Sequence, residues 1–248
     1  MDAGGSDMMN GTVTAIIAGG GVGQRFGAPH GKQLAEIAGR PVLAWSVDAV
    51  AAADHIDDVV VVCAPERVAE YAATVSTALE TDKPVRFVAG GESRMDSVES
   101  GLAEAADARI VVVHDGARPM VSPEVVDAAI GMLLADPALA GVVVGHPAID
   151  TIKRVDGSVI LETPDRSQYW VAQTPQVFWR DALSDALSAA RTDGFVGTDD
   201  SSLVERMGGR VAMVEGGRDN IKVTVSEDRQ FAEHILDARA GCESAAGE

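Results

Sequence analysis

Short runs of β-branched residues alternate with alanine-rich amphipathic stretches along most of this chain. The apolar runs predict buried strands at residues 13–18, 59–63, 85–88, 110–114 and 141–146. The amphipathic stretches predict helices at residues 42–53, 66–80, 95–105 and 123–135. Because strands that alternate with helices are joined by right-handed crossovers, this order predicts an α/β fold, a Rossmann-like, mainly parallel sheet flanked by helices.

The alternation changes after His146. Before a helical pattern resumes near Trp179, short strand-like segments are predicted at residues 150–153, 157–161 and 169–172. We interpret residues from about 148 to 172 as a β-arm, hereafter the arm, inserted into the sheet domain.

A length of 248 residues with 46% hydrophobic content is enough for one domain with a substantial core, which we place at residues 11–240. Residues 1–10 and 241–248 are predicted to be flexible ends, because they are rich in glycine, serine and acidic side chains. Ser122-Pro123-Glu124 is typical of a helix start, and Ser226-Glu227-Asp228 predicts the start of the last helix.

The charge balance limits the partners of the chain. A formal net charge of -18 repels nucleic-acid phosphates and anionic lipid, so we predict neither a nucleic-acid nor a membrane partner. The apolar runs are too short to span a bilayer and no signal peptide is recognised, which favours a cytoplasmic protein. Three of the four lysines, Lys32, Lys153 and Lys222, lie within short motifs, which is typical of a protein that holds small anions.

A glycine-rich loop follows the first predicted strand. Glycines allow backbone N–H groups to approach a phosphate closely, and here they are Gly19, Gly20, Gly21 and Gly23. Arg25 and Lys32 follow beyond the carboxyl end of that strand, where ligands bind in open α/β sheets. The combination suits a nucleoside triphosphate, although such a loop can also be a turn without a ligand.

Two common nucleotide motifs do not fit this loop. A dinucleotide fingerprint requires a third glycine where Phe26 stands. A P-loop requires a serine or threonine where Gln33 follows Lys32. The sequence therefore disfavours both an NAD-binding site and a P-loop ATPase.

Six further motifs follow in order along the chain. They are His114-Asp115-Gly116-Ala117-Arg118, Asp150-Thr151-Ile152-Lys153, Asp165-Arg166, Gln173-Thr174-Pro175-Gln176, Thr198-Asp199-Asp200-Ser201 and Asn220-Ile221-Lys222. Each alone could be a cap or a solvated turn. Together with the glycine loop and the Gly90-Gly91 to Ser97 segment, they make the chain resemble the 2-C-methyl-D-erythritol 4-phosphate cytidylyltransferase family from about residue 13 to 236.

The resemblance implies a nucleotide-diphospho-sugar transferase type of fold and a nucleotidyltransferase reaction of isoprenoid biosynthesis. The substrate phosphate attacks the α-phosphorus of CTP and pyrophosphate leaves. Arg25 and Lys32 match residues that hold the triphosphate. Preorganised cations of this kind can stabilise the negative charge of the phosphates. Mg²⁺ is expected on the phosphates with few protein ligands, so no dedicated metal site is predicted.

The same resemblance implies roles for other residues. Arg166 and Lys222 match residues that position the attacking phosphate, so they join Arg25 and Lys32 as predicted catalytic residues. The remaining matches are predicted to bind substrate, and they are Gly91, Ser97, Asp115, Gly116, Arg118 and Thr151 together with the loop glycines. The family's arm reaches into a neighbouring subunit, which implies a homodimer with composite sites.

Two alternatives stay open at this level. The Gly19-Gly20 pair replaces the more common alanine pair and also occurs in ribitol-5-phosphate cytidylyltransferases. A non-catalytic nucleotide-sensing module on the same fold is a rival of a different class. Because a phosphate nucleophile is already ionised near neutral pH, no general base is required, and His114 is interpreted as structural.

Overall fold

The computed structural model of the chain describes residues 11–20 and 32–246. Its strands are β1 Thr12–Ala18, β2 Glu36–Ile37, β3 Arg40–Pro41, β4 Asp58–Cys63, β5 Val85–Ala89, β6 Ala108–Asp115, β7 Gly141–Pro147, β8 Arg154–Asp156, β9 Val159–Glu162, β10 Trp170–Trp179 and β11 Val211–Glu215. Its α-helices are α1 Val42–Ala51, α2 Val68–Ser76, α3 Arg94–Glu104, α4 Pro123–Ala135, α5 Arg180–Asp193, α6 Asp200–Arg206 and α7 Asp228–Ala246.

A seven-stranded sheet forms the centre of the domain, in the order β11-β7-β10-β6-β1-β4-β5. All neighbouring strands in it are parallel except β10, which is antiparallel to both β6 and β7. The predicted α/β fold with a mainly parallel sheet is confirmed. The antiparallel direction of β10 brings the Gln173-Thr174-Pro175-Gln176 motif into the middle of the sheet, beside β6.

Helices cover both faces of this sheet. Alternate strand residues such as Ile17 and Val61 pack with α1 and α4 on one face, and Ile16 and Val60 pack with α3 and α5 on the other. These strand residues are fully buried, as expected for parallel strands covered on both sides. Cys63 belongs to the first of these clusters, where burial raises the pKa of its thiol to about 12, in agreement with its interpretation as a core residue.

All five predicted strands are present, but β5, at the edge of the sheet, is only partly buried, and α4 has the predicted bounds. Ser122 caps α4 by accepting a hydrogen bond from the backbone of Val125. The predicted helix at 66–80 is shorter, because a 3-10 turn precedes Val68 and the chain leaves the helix after Ser76. Beyond it, the backbone N–H groups of Glu80 and Thr81 bind the carboxylate of Asp48 instead of continuing a helix.

The strands of the arm begin and end at other residues than predicted. The segment 150–153 is not a strand, and the hairpin instead consists of β8 and β9, joined by a turn at Gly157 with φ +57°. The predicted segment 169–172 overlaps the first part of the ten-residue β10, so the end of the arm is continuous with a strand of the central sheet. Several apolar side chains of the arm are exposed, namely Ile149, Val155, Val159, Ile160, Leu161, Tyr169, Trp170 and Val171.

The C-terminal helix begins at Asp228, within the predicted start segment Ser226-Glu227-Asp228. The carboxylate of Asp228 accepts hydrogen bonds from the backbone of Thr224 and Val225, and Ser226 hydrogen-bonds Glu227. The helix continues to Ala246. Among residues 11–20 and 32–246, no helix is long and apolar enough to cross a membrane.

Candidate active site

A cavity of about 200 Å³ opens at the carboxyl ends of the central parallel strands. Ala18 and Gly20 line it at the end of β1, Gly91 lines it after β5, and Asp115 lines it at the end of β6. Lys222 enters from the segment before α7. The carboxyl edge of a parallel sheet is where ligands bind in open α/β folds.

This cavity brings together predicted site residues from distant parts of the chain. Gly20, Gly91, Ser97, Asp115 and Lys222 all line it. The described part of the glycine loop therefore lies in the same cavity as residues of the later motifs.

Three other predicted residues lie directly beside the cavity. The backbone N–H of Gly19 donates to the Val62 carbonyl at 2.8 Å, and that of Gly116 donates to Ala18 at 3.1 Å. Nε of Arg118 lies 3.8 Å from Oδ2 of Asp115. These contacts fix the backbone around the cavity and add a cation at its edge.

The remaining predicted residues are not among the described residues that line the cavity. Gly21, Gly23 and Arg25 lie outside the described residues, as does the side chain of Lys32, which begins the 3-10 turn Lys32–Leu34. Thr151 and Arg166 belong to the arm and are not among the residues that line the cavity. Arg166 is exposed and donates a hydrogen bond to the Ile149 carbonyl within the arm.

Close packing explains two of the glycines. A Cβ on Gly91 would lie 2.3 Å from Cβ of Asp96, and one on Gly116 would lie 2.7 Å from Leu43. A Cβ on Gly20 would meet nothing closer than 3.6 Å. Gly91 is therefore required by sterics, Gly116 is closely packed against Leu43, and Gly20 has room for a methyl group.

The start of α3 forms one wall of the cavity. Ser93 caps this helix by accepting from the Asp96 backbone, and Asp96 reciprocates by accepting from the Ser93 backbone, so the first turn is fixed by a capping box. Ser97 donates to the Ser93 carbonyl at 3.1 Å. Ser93, Arg94 and Ser97 consequently face the cavity from a rigid helix end.

Charges converge on Asp115, whose Oδ2 lies 2.7 Å from Nζ of Lys222. Nε of Arg94 lies 3.6 Å from Oδ1 of the same carboxylate. Burial alone would raise the pKa of Asp115, but the positive charges of Lys222 and Arg94 hold it at about 2. Asp115 is therefore ionised at neutral pH although only 9% of its surface is exposed.

Strand β10 holds the backbone of Asp115 and the ring of His114 through hydrogen bonds. The backbone N–H of Asp115 donates to Oγ1 of Thr174 at 3.0 Å, and Thr174 contacts Nδ1 of His114. Nε2 of His114 lies 3.0 Å from the carbonyl of Arg118. Because a carbonyl only accepts, Nε2 carries the proton of the neutral ring and the hydroxyl of Thr174 donates to Nδ1.

A second group of hydrogen bonds supports Lys222. Asn220, which is 2% exposed, donates to Oε1 of Gln173 and to the carbonyl of Thr174. The guanidinium of Arg118 donates to the Asn220 carbonyl at 2.7 Å. The chain before Lys222 is thus held to β10 and β6, which places its amine on Asp115.

The sequence motifs contained residues whose part in the site was not assigned. Arg94, Thr174, Asn220 and Asp200 all lie within the recognised motifs, but no role was predicted for them. The available signal was a polar residue inside a motif whose other residues are predicted to bind substrate. Only the folded arrangement shows which of them touch Asp115 or Lys222.

A pH dependence of stability follows from His114. Burial lowers the pKa of His114 from 6.5 to about 4, so the ring is neutral in the folded protein and becomes protonated on unfolding below pH 6.5. The unfolded chain therefore binds the extra proton, and we expect the free energy of unfolding to fall by up to about 3 kcal/mol between pH 6.5 and 4. Urea unfolding followed by circular dichroism measures this change.

The variant His114→Gln keeps a donor and an acceptor but cannot titrate, so its unfolding free energy should vary less over the same window. The exposed His234 supplies the matched control, since His234→Gln should retain the wild-type slope. Equal slopes for wild type and His114→Gln would contradict this prediction.

The donor set of the cavity fits one kind of metal binding. In the described part of the chain, no three His, Cys, Asp or Glu side chains are grouped to hold a metal ion. Two carboxylates, those of Glu92 and Asp115, line the cavity, and nearby cations keep Asp115 ionised. One or two carboxylates suit Mg²⁺ that is held mostly by phosphate oxygens and water.

Comparison with known proteins gives a consistent family. Residues 13–238 match the family model described as IspD: 2-C-methyl-D-erythritol 4-phosphate cytidylyltransferase. A protein of that name from Synechococcus sp. (strain WH7803) is 42% identical over 226 residues, which cover 90% of this chain and 99% of that protein. One from Caldanaerobacter subterraneus subsp. tengcongensis is also 42% identical, over 90% of this chain and 98% of its own length.

Solved structures of similar fold carry the same kind of name. The 4-diphosphocytidyl-2C-methyl-D-erythritol synthase of Anaerococcus prevotii superposes with a TM-score of 0.80 at 28% identity, covering 93% of this chain and 99% of that chain. The 2-C-methyl-D-erythritol 4-phosphate cytidylyltransferase of Thermus thermophilus gives a TM-score of 0.70 at 28% identity, covering 90% and 98%. Similarity therefore extends over nearly the full length of these proteins.

Proposed function

The chain belongs to the 2-C-methyl-D-erythritol 4-phosphate cytidylyltransferase family, and we propose on that basis that it joins CTP to 2-C-methyl-D-erythritol 4-phosphate. The products are 4-diphosphocytidyl-2-C-methyl-D-erythritol and pyrophosphate, in non-mevalonate isoprenoid biosynthesis. The observation that carries this proposal is the full-length family match, together with the Asp115–Lys222 pair in the cavity at the carboxyl edge of the sheet.

The cavity supplies the chemistry that nucleotidyl transfer needs. Two phosphates must approach each other, and Lys222, Arg94 and Arg118 provide fixed positive charge around that meeting point. Gly91 is exposed and lines the cavity, so its backbone can contact a base or a ribose, whereas the N–H and carbonyl of Gly116 are already bonded to Ala18 and Ser46. Arg25 and Lys32 remain predicted ligands of the triphosphate.

We propose Mg²⁺ as the metal of the reaction, with Asp115 as its protein ligand. When bound, the ion neutralises charge on the triphosphate. Asp115 suits this role because it is ionised and buried beside Lys222. The attacking phosphate is itself an anion, so the chain's own residues need to orient it and need not remove a proton.

A homodimer is the second part of the proposal. The exposed apolar side chains of the arm, such as Val159 and Ile160, would be covered by a second copy. Thr151 and Arg166 lie on that arm and would complete the partner's cavity. We also propose a cytoplasmic location.

The test is pyrophosphate release from CTP and Mg²⁺, with 2-C-methyl-D-erythritol 4-phosphate and ribitol 5-phosphate offered in parallel. We expect release with the former only, and its loss in Lys32→Ala. Release with ribitol 5-phosphate instead would identify ribitol 5-phosphate as the acceptor. No release with either substrate would support a non-catalytic nucleotide-sensing module.

A further inference from the structure

Arg94 lies between two carboxylates that belong to different parts of the fold. Its Nη2 is 2.7 Å from Oδ2 of Asp200, at the start of α6. Its Nε is 3.6 Å from Oδ1 of Asp115, in the cavity. The shorter contact is the one outside the cavity, because Asp200 is not among the cavity's lining residues.

Asp200 is an unusually buried carboxylate, with 1% of its surface exposed. Burial raises its pKa, and the charge of Arg94 opposes that shift, so the ionised form depends on Arg94. The dependence is mutual, since burial alone would lower the pKa of Arg94 and the charge of Asp200 raises it. Among the described residues, Arg94 is the one cation within 4 Å of Asp200.

The distances divide three cations between two carboxylates. Asp115 has Lys222 as its direct partner at 2.7 Å, whereas Arg94 at 3.6 Å and Arg118 at 3.8 Å are beyond hydrogen-bonding distance. Asp200 takes the direct contact of Arg94. Lys222 is thereby left as the cation that touches Asp115.

We propose that Asp200 is a positioning residue that holds Arg94 beside Asp115 rather than on it, so that Lys222 remains the direct partner of Asp115. This inference rests on the proposed function, because it concerns the geometry in which that cavity works. Asp200 does not line this cavity but a neighbouring one, which shares Arg94 with it, and Arg94 is the ion-pair partner through which Asp200 acts.

The physical reason is the cost of a buried unpaired charge. If Asp200 is made neutral, the partly buried guanidinium of Arg94 retains one nearby carboxylate, that of Asp115. If Arg94 then moved from 3.6 Å to hydrogen-bonding distance of Asp115, it would compete with Lys222 for that carboxylate. The cavity as a whole gains positive charge, so binding of CTP should persist while turnover falls.

The test is a double-mutant cycle with Asp200→Asn and Arg94→Gln. We expect Asp200→Asn to lower kcat at least about tenfold in the wild-type background, with the Kd for CTP changed less than about threefold. In the Arg94→Gln background the same change should lower kcat less than about threefold, because no guanidinium remains to be held. Equal factors in both backgrounds would overturn the proposal.

Two further measurements separate this inference from folding and from the proposed function. Asp193→Asn is the matched control, because Asp193 also pairs with an arginine at 2.7 Å, Arg206, but on the surface. A crystal structure of Asp200→Asn should show Arg94 within about 3.2 Å of Asp115, and an unmoved Arg94 would refute the inference whatever the substrate is. If Asp200→Asn does not fold, the kcat of the double variant should still equal that of Arg94→Gln. A difference of about tenfold between these two variants would count against the inference.

Discussion

Replacing Lys222 with alanine is expected to lower kcat for pyrophosphate release about 10²- to 10³-fold. The amine is the direct partner of Asp115 at 2.7 Å and lies in the cavity in which we propose that the two phosphates meet. Its removal takes away a fixed cation and leaves a buried carboxylate with only longer contacts to Arg94 and Arg118. Steady-state kinetics with CTP and 2-C-methyl-D-erythritol 4-phosphate measure the loss.

A second lysine provides the control for this variant. Lys83 is partly buried and its Nζ donates to the Ala53 carbonyl, far from the cavity lining. Lys83→Ala should therefore keep kcat within about twofold, although it removes the same charge. If both variants behaved alike, the effect would be one of net charge and the role of Lys222 in the cavity would be wrong.

The sequence predicted the parts of the fold that depend on local periodicity. The buried strands and α4 follow from apolar runs and from the Ser122-Pro123 start, and each is present. The direction of β10 could not be predicted, because a strand-like run does not reveal its neighbours. The bounds of β8 and β9 were not predicted either, because the turn at Gly157, and not the apolar residues, determines where these two strands pair.

The candidate site was predicted through its motifs, and the contacts between them were not. Asp115 and Lys222 are 107 residues apart, and no local pattern indicates that they meet. Asp200 resembles any other acidic residue at a helix start, although it is buried against Arg94. Such a pair forms because a desolvated charge requires an opposite one, which is a property of the packed structure.

Arg166→Ala is expected to lower kcat about 10²-fold by itself and to regain activity when mixed with Lys222→Ala. Arg166 lies on the exposed arm, and in the proposed homodimer it completes the cavity of the other subunit. A heterodimer of the two variants then contains one site with both residues intact and one with neither. With free reassortment half of the dimers are mixed, so about a quarter of wild-type activity should return.

The pairing of variants is what makes this result specific. Asp115→Asn mixed with Lys222→Ala is the control, because these two residues touch each other within one chain and no mixed dimer has an intact site. Co-expression with two affinity tags yields the mixed dimers for purification. Recovery in the first mixture and none in the second would assign the arm to the neighbouring cavity. Purified mixed dimers without recovery, or a protein that sediments as a monomer, would contradict the composite site, because the exposed apolar arm would then need another explanation.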